Sequence, residues 1–153
     1  MARKSFTVSS GPVNVGTTAK TILQLEPAAD GRVAVRRIEL AAMGNDVTAR
    51  QAIVEIVRQN AGGTATTMTP VKKTAFPEPA TSTVRGDFSA EAATTGETVI
   101  STTLRPVFQG LVIVPEDVLG GLEVGGGERL GIRARLVTGQ TAVDMYATIE
   151  FEE

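Results

Sequence analysis

The side chains that most often carry chemistry are absent or scattered in this chain. It has no histidine and no cysteine, which removes the commonest general base, the thiolate nucleophile and the two commonest zinc ligands other than carboxylates. A serine or threonine nucleophile would need a lysine base such as Lys20, Lys72 or Lys73 in a desolvated pocket, and Lys72-Lys73 beside Pro70 reads instead as an exposed strand end. The acidic clusters are Glu116-Asp117 and the tail Glu150, Glu152 and Glu153. A hard cation wants about six to eight oxygens from a shaped loop, and neither cluster has that spacing, so they read as solvated edge charges and no metal is expected. No spacing singles out a carboxylate pair for glycoside hydrolysis among the seventeen acids.

Glycine motifs fare no better. Gly11 and Gly16 have the spacing of a phosphate loop, but Thr17 stands where the lysine would be and no helical pattern follows. Gly125-Gly126-Gly127 precedes a strand pattern, so it lacks a helix dipole and reads as a tight bend. No cofactor and no catalytic residue is expected. The arginines are more informative, because Arg36, Arg37, Arg133 and Arg135 on outward sheet faces could fork onto carboxylates across a subunit contact. The alternative for them is a solvated polar face.

Composition narrows the partners. Fifteen basic and seventeen acidic residues give a formal charge of -2, distributed without blocks, so nucleic acid is disfavoured. Aromatics make up only 4% with no tryptophan, which argues against a base-stacking platform. Apolar runs fall far short of the roughly 20 residues that span a bilayer, and MARKSFTVSS carries no apolar signal core. The expectation is a soluble protein made in the cytoplasm, with no membrane partner.

The elements that would position these groups are strands. Turn residues, Gly86 among them, recur at short intervals, and β-rich segments lie between them at about residues 5–9, 20–25, 32–42, 52–58, 67–73, 97–104, 111–114, 129–137 and 142–151. Leu130, Ile132, Ala134 and Leu136 alternate with Arg129, Arg133 and Arg135. After Thr138-Gly139-Gln140, Val143, Met145, Ala147, Ile149 and Phe151 alternate with Asp144, Tyr146, Thr148, Glu150 and Glu152. Two such half-buried strands side by side imply an antiparallel sheet. Residues 48–51 match a capping box, but the β-branched run Ile53, Val54, Ile56 and Val57 favours a strand over a helix. A phase slip at Arg36-Arg37 predicts a β-bulge. Residues 76–83, with Pro77 and Pro79, form a long connection. The fold class expected is all-β: one antiparallel β-sandwich domain of about eight strands spanning 1–153, with a short polar arm at about 1–4.

Four pieces of the chain, GTTAKTILQLEPAADGRVAVRRIEL, IVEIVRQNAGGTATTMTPVK, LVIVPEDVLGGLEVGGGERLGIRA and YATIEFEE, together resemble a family of small tailed-phage capsid-associated proteins. The most specific piece is the glycine triplet leading into ERLGIRA, followed by the acidic C-terminus. The chain departs from the family pattern at Phe151 and at residues 114–118. The resemblance implies a jelly-roll-like sandwich seated on the outside of an icosahedral phage head. Such decoration or cement proteins are non-enzymatic, bind the major capsid protein and self-associate, here as a homotrimer on the virion surface. The candidate interface residues are Arg3 and Lys4 on the arm, Arg50 in the loop 45–50, Phe76 in the loop 76–83, and Arg36, Arg37, Arg133 and Arg135. Two other readings stay open at this point. One is a tail-associated or carbohydrate-binding β-sandwich module, for which only Tyr146 and five phenylalanines supply rings. The other is an enzyme of carboxylate type.

Overall fold

A computed structural model describes residues 3–43, 50–104 and 110–153. Thirteen strands and one short helix follow in the order β1 (Ser5–Ser9), β2 (Val13–Val15), β3 (Lys20–Glu26), β4 (Arg32–Ala42), β5 (Ala52–Gln59), β6 (Thr64–Met68), β7 (Val71–Lys72), β8 (Thr83–Ala90), β9 (Thr94–Leu104), β10 (Leu111–Ile113), α1 (Pro115–Leu119), β11 (Leu122–Gly125), β12 (Arg129–Leu136) and β13 (Val143–Glu152). They form two antiparallel sheets. Sheet A runs β10-β4-β13-β1-β7, with β11 also on β4 and β2 also on β13; sheet B runs β6-β8-β3-β12-β5-β9.

Eight positions in this order make a jelly roll. The first strand pairs with the last, β13 pairs with β4, and β10 with β11 lie in tandem along the far edge of β4. In the facing sheet β3, β12, β5 and β9 follow one another. The chain passes repeatedly between the two sheets, which is the double Greek key of that architecture. The β6–β8 pair widens sheet B, and β7 adds two residues to the free side of β1.

The alternation read in the closing segment is the alternation of burial. Leu130, Ile132, Ala134 and Leu136 are inside, as are Val143, Met145, Ala147, Ile149 and Phe151. Their pairing, however, is not that of strands lying side by side. β12 belongs to sheet B and β13 to sheet A, so the two are central strands of opposite sheets and share no ladder. Period-two patterning fixes which side chains face the core; it says nothing about neighbours.

Two other local readings hold. Residues 52–59 are a strand, with Ala52, Val54 and Ile56 in the main core. The bulge falls at Arg36: pairing steps from Glu150 opposite Arg37 to Phe151 opposite Val35, leaving Arg36 as the extra residue. The segment read as one strand at 67–73 is two strands in different sheets, β6 and β7. Pro70 stands between them and has no N–H to carry a ladder across. Strands β2, β8 and β11 escaped the sequence reading. Gly86, which looked like a turn, lies inside β8, where a Cβ would sit 2.5 Å from the Met68 sulfur; close approach, not bending, explains that glycine.

Candidate interaction surface

Because β4 and β13 bury one face each, their other side chains form the outer face of sheet A. The bulge sets Arg36 there in a distinctive way. Its Nε and Nη2 both donate to Oε2 of Glu152, at 3.0 and 2.8 Å, and Nη1 donates to Glu116 at the start of α1. The bond with Glu152 and the charges of Glu152 and Glu116 outweigh partial burial and hold the guanidinium above its ordinary pKa. Arg3 Nη1 stands 3.8 Å from the same Glu152 oxygen. Arg3, Arg36 and Glu116 thus line one hollow of about 460 Å³, together with Leu122 and Glu123.

The remaining candidates are dispersed. Arg37 pairs with Glu39 along its own strand. Lys4 exchanges backbone hydrogen bonds with Glu153 at 3.2 and 3.0 Å and reaches Glu78 at 3.5 Å, so it extends the β1–β13 ladder. Arg50 donates to the Ala142 carbonyl at 3.3 Å; residues 45–49 of its loop and Met1 and Ala2 of the arm lie outside the described residues. Arg133 and Arg135 are on the outer face of sheet B, the opposite side of the molecule's core from Arg36. Arg133 donates to Glu55 at 2.7 Å. Arg135 makes no hydrogen bond or ion pair among the described residues and stays half-buried opposite Ile53 on β5.

Phe76 is placed inward. Its ring meets Phe6 edge-on at 5.1 Å and 80°, and it packs against the main core. Lys72 bonds the carbonyls of Phe76 and Pro77 at 3.0 and 2.7 Å. Farther along the same connection, Glu153 accepts from the Thr81 and Ser82 amides at 3.0 and 2.8 Å and from the Thr81 hydroxyl. Burial works against the ionised Glu153, but these donors at Ser82 and Thr81 prevail and keep its carboxyl below the usual range. The connection is fastened to both chain ends.

What the sequence reading did not assemble is an apolar patch on the outer face of sheet A. Met43, Val112 and Tyr146 are 49%, 52% and 38% exposed. Tyr146 lies opposite Ala41 and Val112 opposite Glu39, so they flank β4 near its end. Met43 N donates to Asp144 O at 2.7 Å, which draws it to the same end. A shallow groove of about 210 Å³ runs between Ala41, Leu111, Val112 and Tyr146. The signal available beforehand was an aromatic, Tyr146, on the polar side of an alternating strand.

Sheet B instead carries a buried polar network. Gln24 donates to Gln59 at 2.7 Å, Gln59 donates to the Thr21 hydroxyl at 2.9 Å, and Thr21 N and its hydroxyl reach Glu91. Thr21, Gln24 and Gln59 are buried. Glu26 next to it is held by Arg85 and by Arg129 at 2.7 Å. Among the described residues there is no group of three or more potential metal ligands, and no helix is long and apolar enough to cross a membrane. No protein-family model matches this chain, and no curated protein matches it.

Proposed function

We propose that this protein is a non-enzymatic phage head decoration protein, which docks as a homo-oligomer on the outer surface of the major capsid protein and braces neighbouring subunits. The observation that carries this reading is the apolar patch of Met43, Val112 and Tyr146 on a sheet face whose charges pair with one another. Arg36 is taken up by Glu152 and Glu116, Arg37 by Glu39, and Lys73 by Glu150 at 2.7 Å. A face with neutralised charge and exposed apolar side chains favours contact with protein over contact with a polyanion. The frame behind it is rigid, since both chain ends are tied into one ladder. The sequence resemblance points to the same role.

Co-sedimentation tests it. Purified protein is mixed with expanded phage heads lacking their decoration protein, and bound protein is measured in the pellet. Saturable binding that falls at least tenfold in a Val112→Asp, Tyr146→Ser double variant is expected; absence of the unaltered protein from the pellet would overturn the reading.

A further inference from the structure

The four sheet edges differ in how they are guarded. In sheet A, one edge is made of the three-residue β2 on β13 and the two-residue β7 on β1; β7 carries Lys72, is preceded by Pro70 and is followed by Lys73. The other is split into the three-residue β10 and four-residue β11, interrupted by α1 with Glu116 and Asp117 and bearing Glu123. Shortness, proline and charge are the devices that keep an edge from recruiting another strand. Sheet B is guarded less at both ends. β6, with the sequence TATTM, is uncharged and largely exposed. β9 is eleven residues long and has one charge, Glu97.

The two halves of β9 also differ. Its pairing with β5 slips twice around Val57, opposite its first half, and then runs in regular register from Ile100 opposite Ile56 to Leu104 opposite Ala52. The regular half is uncharged. Val99 and Ile100 pack against the core yet are only half-buried, because no strand among the described residues lies beyond them. One further strand would cover them and satisfy the outward amides and carbonyls.

We propose that copies of this chain associate head to tail through sheet B, the free edge of β9 in one copy pairing with the free edge of β6 in the next. The occupant is a second copy because the two unguarded edges are opposite ends of the same sheet, so each molecule offers both halves of the contact. A contact between two different surfaces closes into a ring when the rotation permits. This specifies the self-association named above and rests on that reading only for the existence of an oligomer.

The test uses the protein alone, so its failure is separate from any failure to bind heads. Sedimentation velocity is run on the unaltered chain, on Thr102→Lys in β9 and on Thr66→Lys in β6. Both positions lie on the core-facing side of their strands, opposite Val54 and Gly86. At an open edge a lysine there can run its stem outward to water, whereas a docked strand would bury its charge. The unaltered chain is expected to be an oligomer and each variant a monomer with unchanged circular dichroism. Mixing the two variants is expected to give a one-to-one dimer, since each retains one unaltered edge. A monomeric unaltered chain, a Thr66→Lys variant of unchanged mass, or a mixture that stays monomeric would each overturn the proposal. Thr102→Ser and Thr66→Ser, which add no charge, are expected to keep the original mass.

Discussion

The rings of Phe6 and Phe151 stack 5.5 Å apart, at an interplanar angle of 25°, directly across the ladder that joins the first strand to the last. Both are fully buried, so the closure of the chain on itself is secured by the core as well as by hydrogen bonds. Removing a buried phenylalanine side chain costs about 3–5 kcal/mol through lost transfer and the cavity left behind. Phe151→Ala is therefore expected to lower the unfolding free energy by about 4 kcal/mol in urea titrations, with Phe151→Leu losing much less. A loss below about 1 kcal/mol for the alanine variant would mean that the termini are not part of the cooperative unit.

A second prediction concerns Gly131, in the middle of β12. A Cβ there would lie 2.4 Å from Oε1 of Gln59 and 2.5 Å from its Cδ, so Gln59 must leave the position from which it binds Gln24 and Thr21. Buried polar groups stripped of partners cost about 1–3 kcal/mol. Gly131→Ala is expected to destabilise by that amount in the native background and by clearly less in a Gln59→Ala background. Equal costs in both backgrounds would show that the glycine is required for the backbone and not for the network.

Acid should weaken the same flank of sheet B. Burial opposes the charge on Glu26, but hydrogen bonds from Arg85 and Arg129, with their charges, prevail and set its carboxyl below its ordinary value of 4.5. A group that ionises more readily when folded stabilises the fold above its unfolded pKa, and that contribution is lost as pH falls through the lower, folded value. Glu153 shifts in the same direction. Unfolding free energy is thus expected to fall as pH drops below 4.5, with a shallower dependence in Glu26→Gln. A variant whose pH profile runs parallel to that of the unaltered protein would contradict the assignment of this acid sensitivity to Glu26.

How much of this was legible beforehand follows from what each signal encodes. Alternation at Leu130 to Leu136 and at Val143 to Phe151 identified the buried faces, because side-chain direction is local to a strand. It placed the two strands together wrongly, because pairing depends on the path of the whole chain and the jelly roll sends them to opposite sheets. The bulge at Arg36 was legible as a slip in phase, and the structure adds its consequence, a guanidinium turned between Glu152 and Glu116. β8 was hidden because Gly86 looks like a turn when seen without Met68. Phe76 was read as an exposed loop aromatic, since nothing near it in sequence reveals the ring of Phe6. The apolar patch showed only its Tyr146 for a related reason: Met43, Val112 and Tyr146 belong to three separate strand neighbourhoods and meet only through the register of β4 with β10 and β13.

The central claim is that this sandwich is worn on the outside of a phage head. Electron cryomicroscopy of intact virions containing the protein, with icosahedral averaging, tests it most directly. The account predicts two-sheet density fitting this chain on the outer capsid surface, with the part of sheet A's outer face that bears Met43, Val112 and Tyr146 turned towards the major capsid protein. Virions in which that density lies in the tail, or in which the capsid exterior is bare while the protein is present, would contradict it.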